Sequence, residues 1–94
     1  MIICTAKNFI KKDKLKEFQK IAKKLIDKSQ QEKGCIEYQV YKDKDDETIF
    51  CFIEKWQSLK ALESHFQTKH FKELVAKLEK LKYKKDEVNI YKEV

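Results

Sequence analysis

Residues 48–66, Thr-Ile-Phe-Cys-Phe-Ile-Glu-Lys-Trp-Gln-Ser-Leu-Lys-Ala-Leu-Glu-Ser-His-Phe, change their hydrophobic period once, and that change decides the fold. From Thr48 to Trp56 the period is two: Phe50, Phe52, Glu54 and Trp56 share one face, and Cys51, Ile53 and Lys55 the other, as on a β-strand. Ser58 then supplies an oxygen suited to a helix N-terminus, and Leu59, Leu62 and Phe66 recur at spacings of three and four. A strand thus hands over to a helix within two residues of Trp56.

Working upstream, Asp43 to Glu47 is a polar turn, and Cys35 to Lys42 is a second strand, so the two strands form an antiparallel hairpin. Gly34 marks the end of a long amphipathic helix that carries Leu15, Phe18, Ala22, Leu25, Ile26 and Ser29 on one side, with Asp13 placed to cap it. Ile2 to Phe9 is the first strand, with Ile2, Cys4, Ala6 and Asn8 on one face. Downstream, Thr68 restarts a helix through Phe71, Leu74, Val75, Leu78 and Leu81. Lys82 to Lys85 reads as a turn and Val88 to Val94 as the last strand. The order β-α-β-β-α-β predicts an α+β ferredoxin-like antiparallel sheet with its helices on one face. Apolar residues on both faces of the first three strands predict a second copy packed sheet to sheet, a dimeric α+β barrel.

At 94 residues the chain has the length of one domain, spanning 1–94, and a small one that gains from dimerisation. The net charge of +6 raises nucleic acid as a partner, but all 22 basic residues are lysines, interleaved with carboxylates as on a solvated helix face. No nucleic-acid partner is expected. Cys4, Cys35 and Cys51 are odd in number and widely spaced, which suggests reduced thiols rather than a disulfide framework or a metal pair. No secretory leader or long apolar run is evident, so no membrane association and a cytoplasmic location are expected.

A strand ending Glu54-Lys55-Trp56, a capping Ser58, His65 nine residues after the tryptophan, and the later His70-Phe71 together resemble the antibiotic-biosynthesis monooxygenase family. Lys33-Gly34-Cys35-Ile36-Glu37-Tyr38 is similar to that family's Pro-Gly-Cys-x-x-Tyr stretch, with Lys33 in place of proline. The resemblance covers about residues 1 to 80. It implies oxygenation of a quinol or similar electron-rich phenol without metal or flavin cofactor, the deprotonated substrate supplying the electrons.

For that chemistry the candidate catalytic residues are His65 as base, Trp56 as a wall for the ring, Asn8 as a hydrogen-bonding group and Glu54 as an orienting carboxylate. Tyr38, Phe52, Phe66 and Phe71 are candidate substrate-binding residues for a small aromatic molecule. Each has a plain alternative. Trp56 also suits a core position, Asn8 a strand end, His65 a helix-packing role, and Glu54 a paired or rim position, because an unpaired buried charge is expensive. His70 reads as structural or exposed.

Three rival functions stand beside the oxygenase. A haem-degrading branch of the fold pairs a strand-one asparagine with a tryptophan and an iron-binding histidine. Here His65 occupies the tryptophan's place and Val75 the histidine's, which argues against haem degradation. A cofactor-free isomerase or lyase acting on a small sugar-like signal molecule would use the same His65 and Glu54 for proton transfer. A non-catalytic dimeric ligand-binding or stress protein would need only the pocket.

Overall fold

The computed structural model describes residues 1–94. Its order is β1 (Ile2–Ile10), a 3-10 turn (Lys12–Lys14), α1 (Leu15–Ser29), β2 (Cys35–Lys42), β3 (Ile49–Trp56), α2 (Leu59–Gln67), α3 (Lys69–Glu79) and β4 (Lys82–Lys92). All neighbouring strands are antiparallel, in the order β2-β3-β1-β4, so the ferredoxin-like α+β arrangement read from the sequence is the fold. The helices pack on one side of this sheet, and Phe18, Ala22, Leu25, Leu62, Leu74 and Leu78 meet Cys4, Tyr38, Phe50, Phe52 and Trp56 in one core.

The alternation in β3 is complete: Phe50, Phe52, Glu54 and Trp56 are buried beneath the helices, and the residues between them are half-buried. Register carries this face across the sheet. Ile2 pairs with Trp56, Cys4 with Glu54, Ala6 with Phe52 and Asn8 with Phe50. On the other flank Tyr38 pairs with Glu54, and Val40 with Phe52. An irregularity between Cys35 and Glu37 breaks the alternation at the start of β2 and turns Ile36 outward, where it is 52% exposed, while Tyr38 is buried.

Three local details differ from the sequence reading. Asp13 does not cap α1; it lies inside the 3-10 turn, and Lys14 at the helix start makes no side-chain capping bond. Leu59, at the first position of α2, is exposed rather than inward, because its turn has not yet rotated onto the sheet. Lys82 to Lys85 is not a turn: β4 begins at Lys82, the reversal having been completed just after α3 ends at Glu79. The other two helix starts are capped by side chains as read, the Ser58 hydroxyl accepting from the Ala61 N–H at 3.1 Å and the Thr68 hydroxyl from the Phe71 N–H at 3.2 Å.

Gly34 is held in place by two demands. Its φ of +91° lies in the region that L side chains avoid, and a Cβ there would stand 2.7 Å from the Ala61 Cβ of α2. This close approach sets the loop between α1 and β2, which carries Glu32, against α2, which carries His65.

Candidate active site

Between the helices and the sheet lies a cavity of about 90 Å³ with 14 lining residues, ten of them hydrophobic. On the measure by which one water needs about 10–15 Å³, it has room for a ligand of roughly six to nine heavy atoms, the size of a one-ring phenol. Its floor is Cys4, Ala6 and Asn8 of β1 with Phe52 and Glu54 of β3, and Tyr38 of β2 closes one side. Leu25 of α1, Phe66 of α2 and Phe71, Val75 and Leu78 of α3 roof it, while Lys82, Asp86 and Val88 of β4 complete the wall.

Six of the eight sequence-predicted site residues therefore share one space: Asn8, Glu54, Tyr38, Phe52, Phe66 and Phe71. Trp56 and His65 are fully buried and are not among the cavity's lining residues. They stand behind Glu54. The Trp56 indole N–H donates to Glu54 Oε1 at 3.0 Å, and the His65 ring lies against the indole with centroids 4.7 Å apart and planes at 38°. Phe71, at 4.8 Å, and Tyr38, at 5.3 Å, pack on other sides of the imidazole.

Glu54 is the ionisable group that this packing perturbs most usefully. Its carboxyl is pushed up to about 7, chiefly by burial, with the charge of Glu32 adding and hydrogen bonds from Trp56 and Tyr38 opposing. A carboxyl near neutrality takes and returns protons at physiological pH. The other groups are quieter. Burial drives the Tyr38 phenol far up, so it is a neutral hydroxyl, and raises the Cys4 thiol to about 12, so it lines the floor as an inert thiol. The Asn8 amide turns back to donate to the Ala6 carbonyl at 3.0 Å.

His65 is directed away from this carboxylate and toward another. Its Nδ1 lies 2.7 Å from Glu32 Oε2, and His70 Nε2 lies 2.6 Å from the same oxygen. Burial lowers the affinity of His65 for a second proton, opposed by the hydrogen bond and charge of Glu32. The neutral ring therefore donates its Nδ1–H to Glu32, and its buried Nε2, with no hydrogen-bond partner, keeps the lone pair. Two imidazoles and a carboxylate with ligand atoms within 4.8 Å of one another are also a donor set of the zinc-binding kind. Tetrahedral ligands on one zinc ion stand about 3.3 Å apart, so the present 2.6 and 2.7 Å contacts are those of a hydrogen-bonded triad that a metal would have to spread.

Sequence reasoning missed Glu32, Lys82 and Asp86. Glu32 sits in an aperiodic loop, although it directly precedes the Lys33-Gly34-Cys35 stretch already singled out. Lys82 and Asp86 form an ion pair at 2.8 Å on the cavity wall. Their four-residue spacing was the one available signal, and it was hidden in a lysine-rich segment.

The family model described as antibiotic biosynthesis monooxygenase matches residues 1–77. The uncharacterized Synechocystis protein sll1783 is 41% identical over 83 residues, 88% of this chain but only 56% of that protein, so the chain spans little more than half of that relative's length. YcnE of Bacillus subtilis, described as a candidate monooxygenase, is 34% identical over 77 residues, 82% of this chain and 81% of YcnE. Among solved structures, a conserved protein from Methanosarcina mazei Go1 superposes with a TM-score of 0.97 at 35% identity, covering 99% of this chain and 92% of its own.

Proposed function

The chain belongs to the antibiotic biosynthesis monooxygenase family, and from that premise we propose that it is a homodimeric, cofactor-independent monooxygenase that oxygenates a small one-ring quinol or phenol in the cavity at Glu54. The observation that carries this reading is the pairing of an apolar chamber of about 90 Å³ with one buried carboxyl poised at about 7. A phenol reacts with oxygen through its anion, so the site must remove a proton while keeping water scarce. Glu54, in its ionised form, accepts the substrate hydroxyl proton. Ten hydrophobic lining residues favour the ring and the dioxygen over water.

The balance is that of a monooxygenase. Quinol and O2 give hydroxyquinone and water: one oxygen atom forms a bond to ring carbon, the other leaves as water, and the substrate supplies all four electrons. Protein groups need only move protons. Trp56, donating to Glu54 Oε1, holds the carboxylate toward the chamber, and the aromatic packing of His65 on Trp56 fixes the indole. His65, the base suggested by sequence resemblance, is given the positioning part in this proposal and Glu54 the proton-accepting one.

Dimer formation is supported by the uncovered side of the sheet. Tyr41 of β2 and Tyr91 of β4 are each about half exposed, at 50% and 53%, and Ile3 of β1 with Ile49 and Ile53 of β3 remain only half-buried between them. A sheet-to-sheet partner would cover this apolar surface. Light scattering on the purified chain should give twice the 11.4 kDa chain mass, and a monomer at micromolar concentration would contradict that part of the proposal.

Oxygen consumption with hydroquinone as substrate tests the activity. Consumption equimolar with product, and one ¹⁸O atom in the product from ¹⁸O2, are expected. Equal turnover under nitrogen would replace the oxygenase with an isomerase or lyase using the same carboxyl.

A further inference from the structure

The cavity has a second polar end that the proposed chemistry leaves unused. Lys82 Nζ is almost fully buried, at 5% side-chain exposure, and donates to Glu79 Oε1 and Asp86 Oδ2, each at 2.8 Å. Two of its three donors are thereby spent and one is left. Asp86 Oδ1, on the same wall, is buried and has no hydrogen-bond partner. A buried carboxylate oxygen without a donor is costly and calls for a ligand or water.

Register separates this end from Glu54. Glu54 of β3, Cys4 of β1 and Ile90 of β4 form one row across the sheet, so Asp86 lies two strands over and four residues along. With strands about 4.8 Å apart and about 3.3 Å per residue, the two Cα positions are roughly 16 Å apart. One functional group cannot serve both ends; two groups on opposite edges of a ring can.

We propose that Lys82 and Asp86 are a specificity pole that binds a second ring oxygen, so that the preferred ligand is a one-ring aromatic carrying hydroxyls at opposite edges. The distal hydroxyl donates to Asp86 Oδ1 and accepts from the remaining N–H of Lys82, while the proximal hydroxyl faces Glu54. This assignment rests on the cavity being a phenol site. Both residues lie beyond the 1–77 stretch matched by the family description, in the strand that completes the cavity wall. Burial raises the Asp86 carboxyl, in keeping with a group whose one close cation does not fully compensate it.

The test is binding under nitrogen, by calorimetry, of hydroquinone and of phenol, which lacks the distal hydroxyl. Wild type should prefer hydroquinone by about tenfold or more, since a site built to bond a hydroxyl discriminates against its absence. Asp86→Ala should bring that ratio to about one, the loss falling chiefly on hydroquinone. Asp86→Asn, which keeps the shape and the acceptor, should retain part of the preference and guards against a variant that simply misfolds. Equal affinities in wild type, or an undiminished preference in Asp86→Ala, would overturn the pole while leaving the Glu54 site standing. Failure of wild type to bind either probe would bring down both, by removing the phenol site itself.

Discussion

Glu54 and Glu32 stand on opposite sides of the same Trp56 and His65 stack, and they meet opposite fates. Glu32 Oε2 receives two imidazole nitrogens, at 2.7 and 2.6 Å, and its hydrogen-bonding capacity is committed to holding α2 and α3 to the loop before β2. Glu54 accepts from the Trp56 indole N–H at 3.0 Å and from the Tyr38 hydroxyl, but it faces the cavity and is buried enough for its carboxyl to move up to about 7. A carboxylate with satisfied partners is a structural clamp. One with an open side and a shifted proton affinity is equipped for chemistry.

The sharpest way to break the comparison is to neutralise each carboxylate in turn. Glu54→Gln should lower oxygen consumption by about 10²-fold or more, the usual worth of a positioned general base. It should also stabilise the fold at pH 8. A carboxyl raised from 4.5 to about 7 is protonated more readily folded than unfolded, so its contribution is largest below 4.5 and is lost as pH rises toward 7. Removing the charge restores up to roughly 2–3 kcal/mol above that window, read as a higher urea midpoint. Glu32→Gln should do the reverse, costing about 1–2 kcal/mol of stability with a far smaller effect on turnover.

Gly34→Ala probes the clamp without touching a charge. The new methyl would meet Ala61 at 2.7 Å from a backbone at φ +91°, so a loss of about 2–3 kcal/mol is expected in denaturant unfolding. Its effect on activity should follow stability, because the contact holds Glu32 against α2 rather than lining the cavity. For His65 the sign with pH is opposite to that of Glu54. Its lowered proton affinity means stability present above about 6.5 that is lost as pH falls, and His65→Asn should flatten the acid limb of the stability profile.

Most of the scaffold was legible because its elements obey one period each. The β3 face of Phe50, Phe52, Glu54 and Trp56, the capping by Ser58 and Thr68, and the positive φ of Gly34 all follow from local rules. β4 was not fully legible. It is an edge strand whose Lys82, Lys84 and Lys85 present no alternation, and Val88 and Ile90 remain about half exposed, so neither periodicity nor hydrophobicity marked its start. The site was read in the same uneven way. Residues on regular faces, such as Tyr38, Phe52 and Glu54, could be assigned to one space, whereas the place of His65 behind Trp56 depends on how deeply α2 settles on the sheet. Glu32, in a loop, and the Lys82–Asp86 pair, across an irregular strand, are brought to their partners by packing alone.

The smallest predicted effect is also a clean one. Trp56→Phe keeps the aromatic packing but deletes the N–H that donates to Glu54 Oε1, a bond that lowers the carboxyl's proton affinity. The midpoint of the rate against pH should therefore move above its wild-type value, with the plateau rate changed less than in Glu54→Gln.

Whether Glu54 is the cavity's poised base is read from a ¹³C-detected NMR titration of its carboxyl in the folded protein, with and without hydroquinone under nitrogen. A poised base has a midpoint near 7 that moves when the ligand enters. A midpoint at the ordinary 4.5, unresponsive to the ligand, would contradict that role.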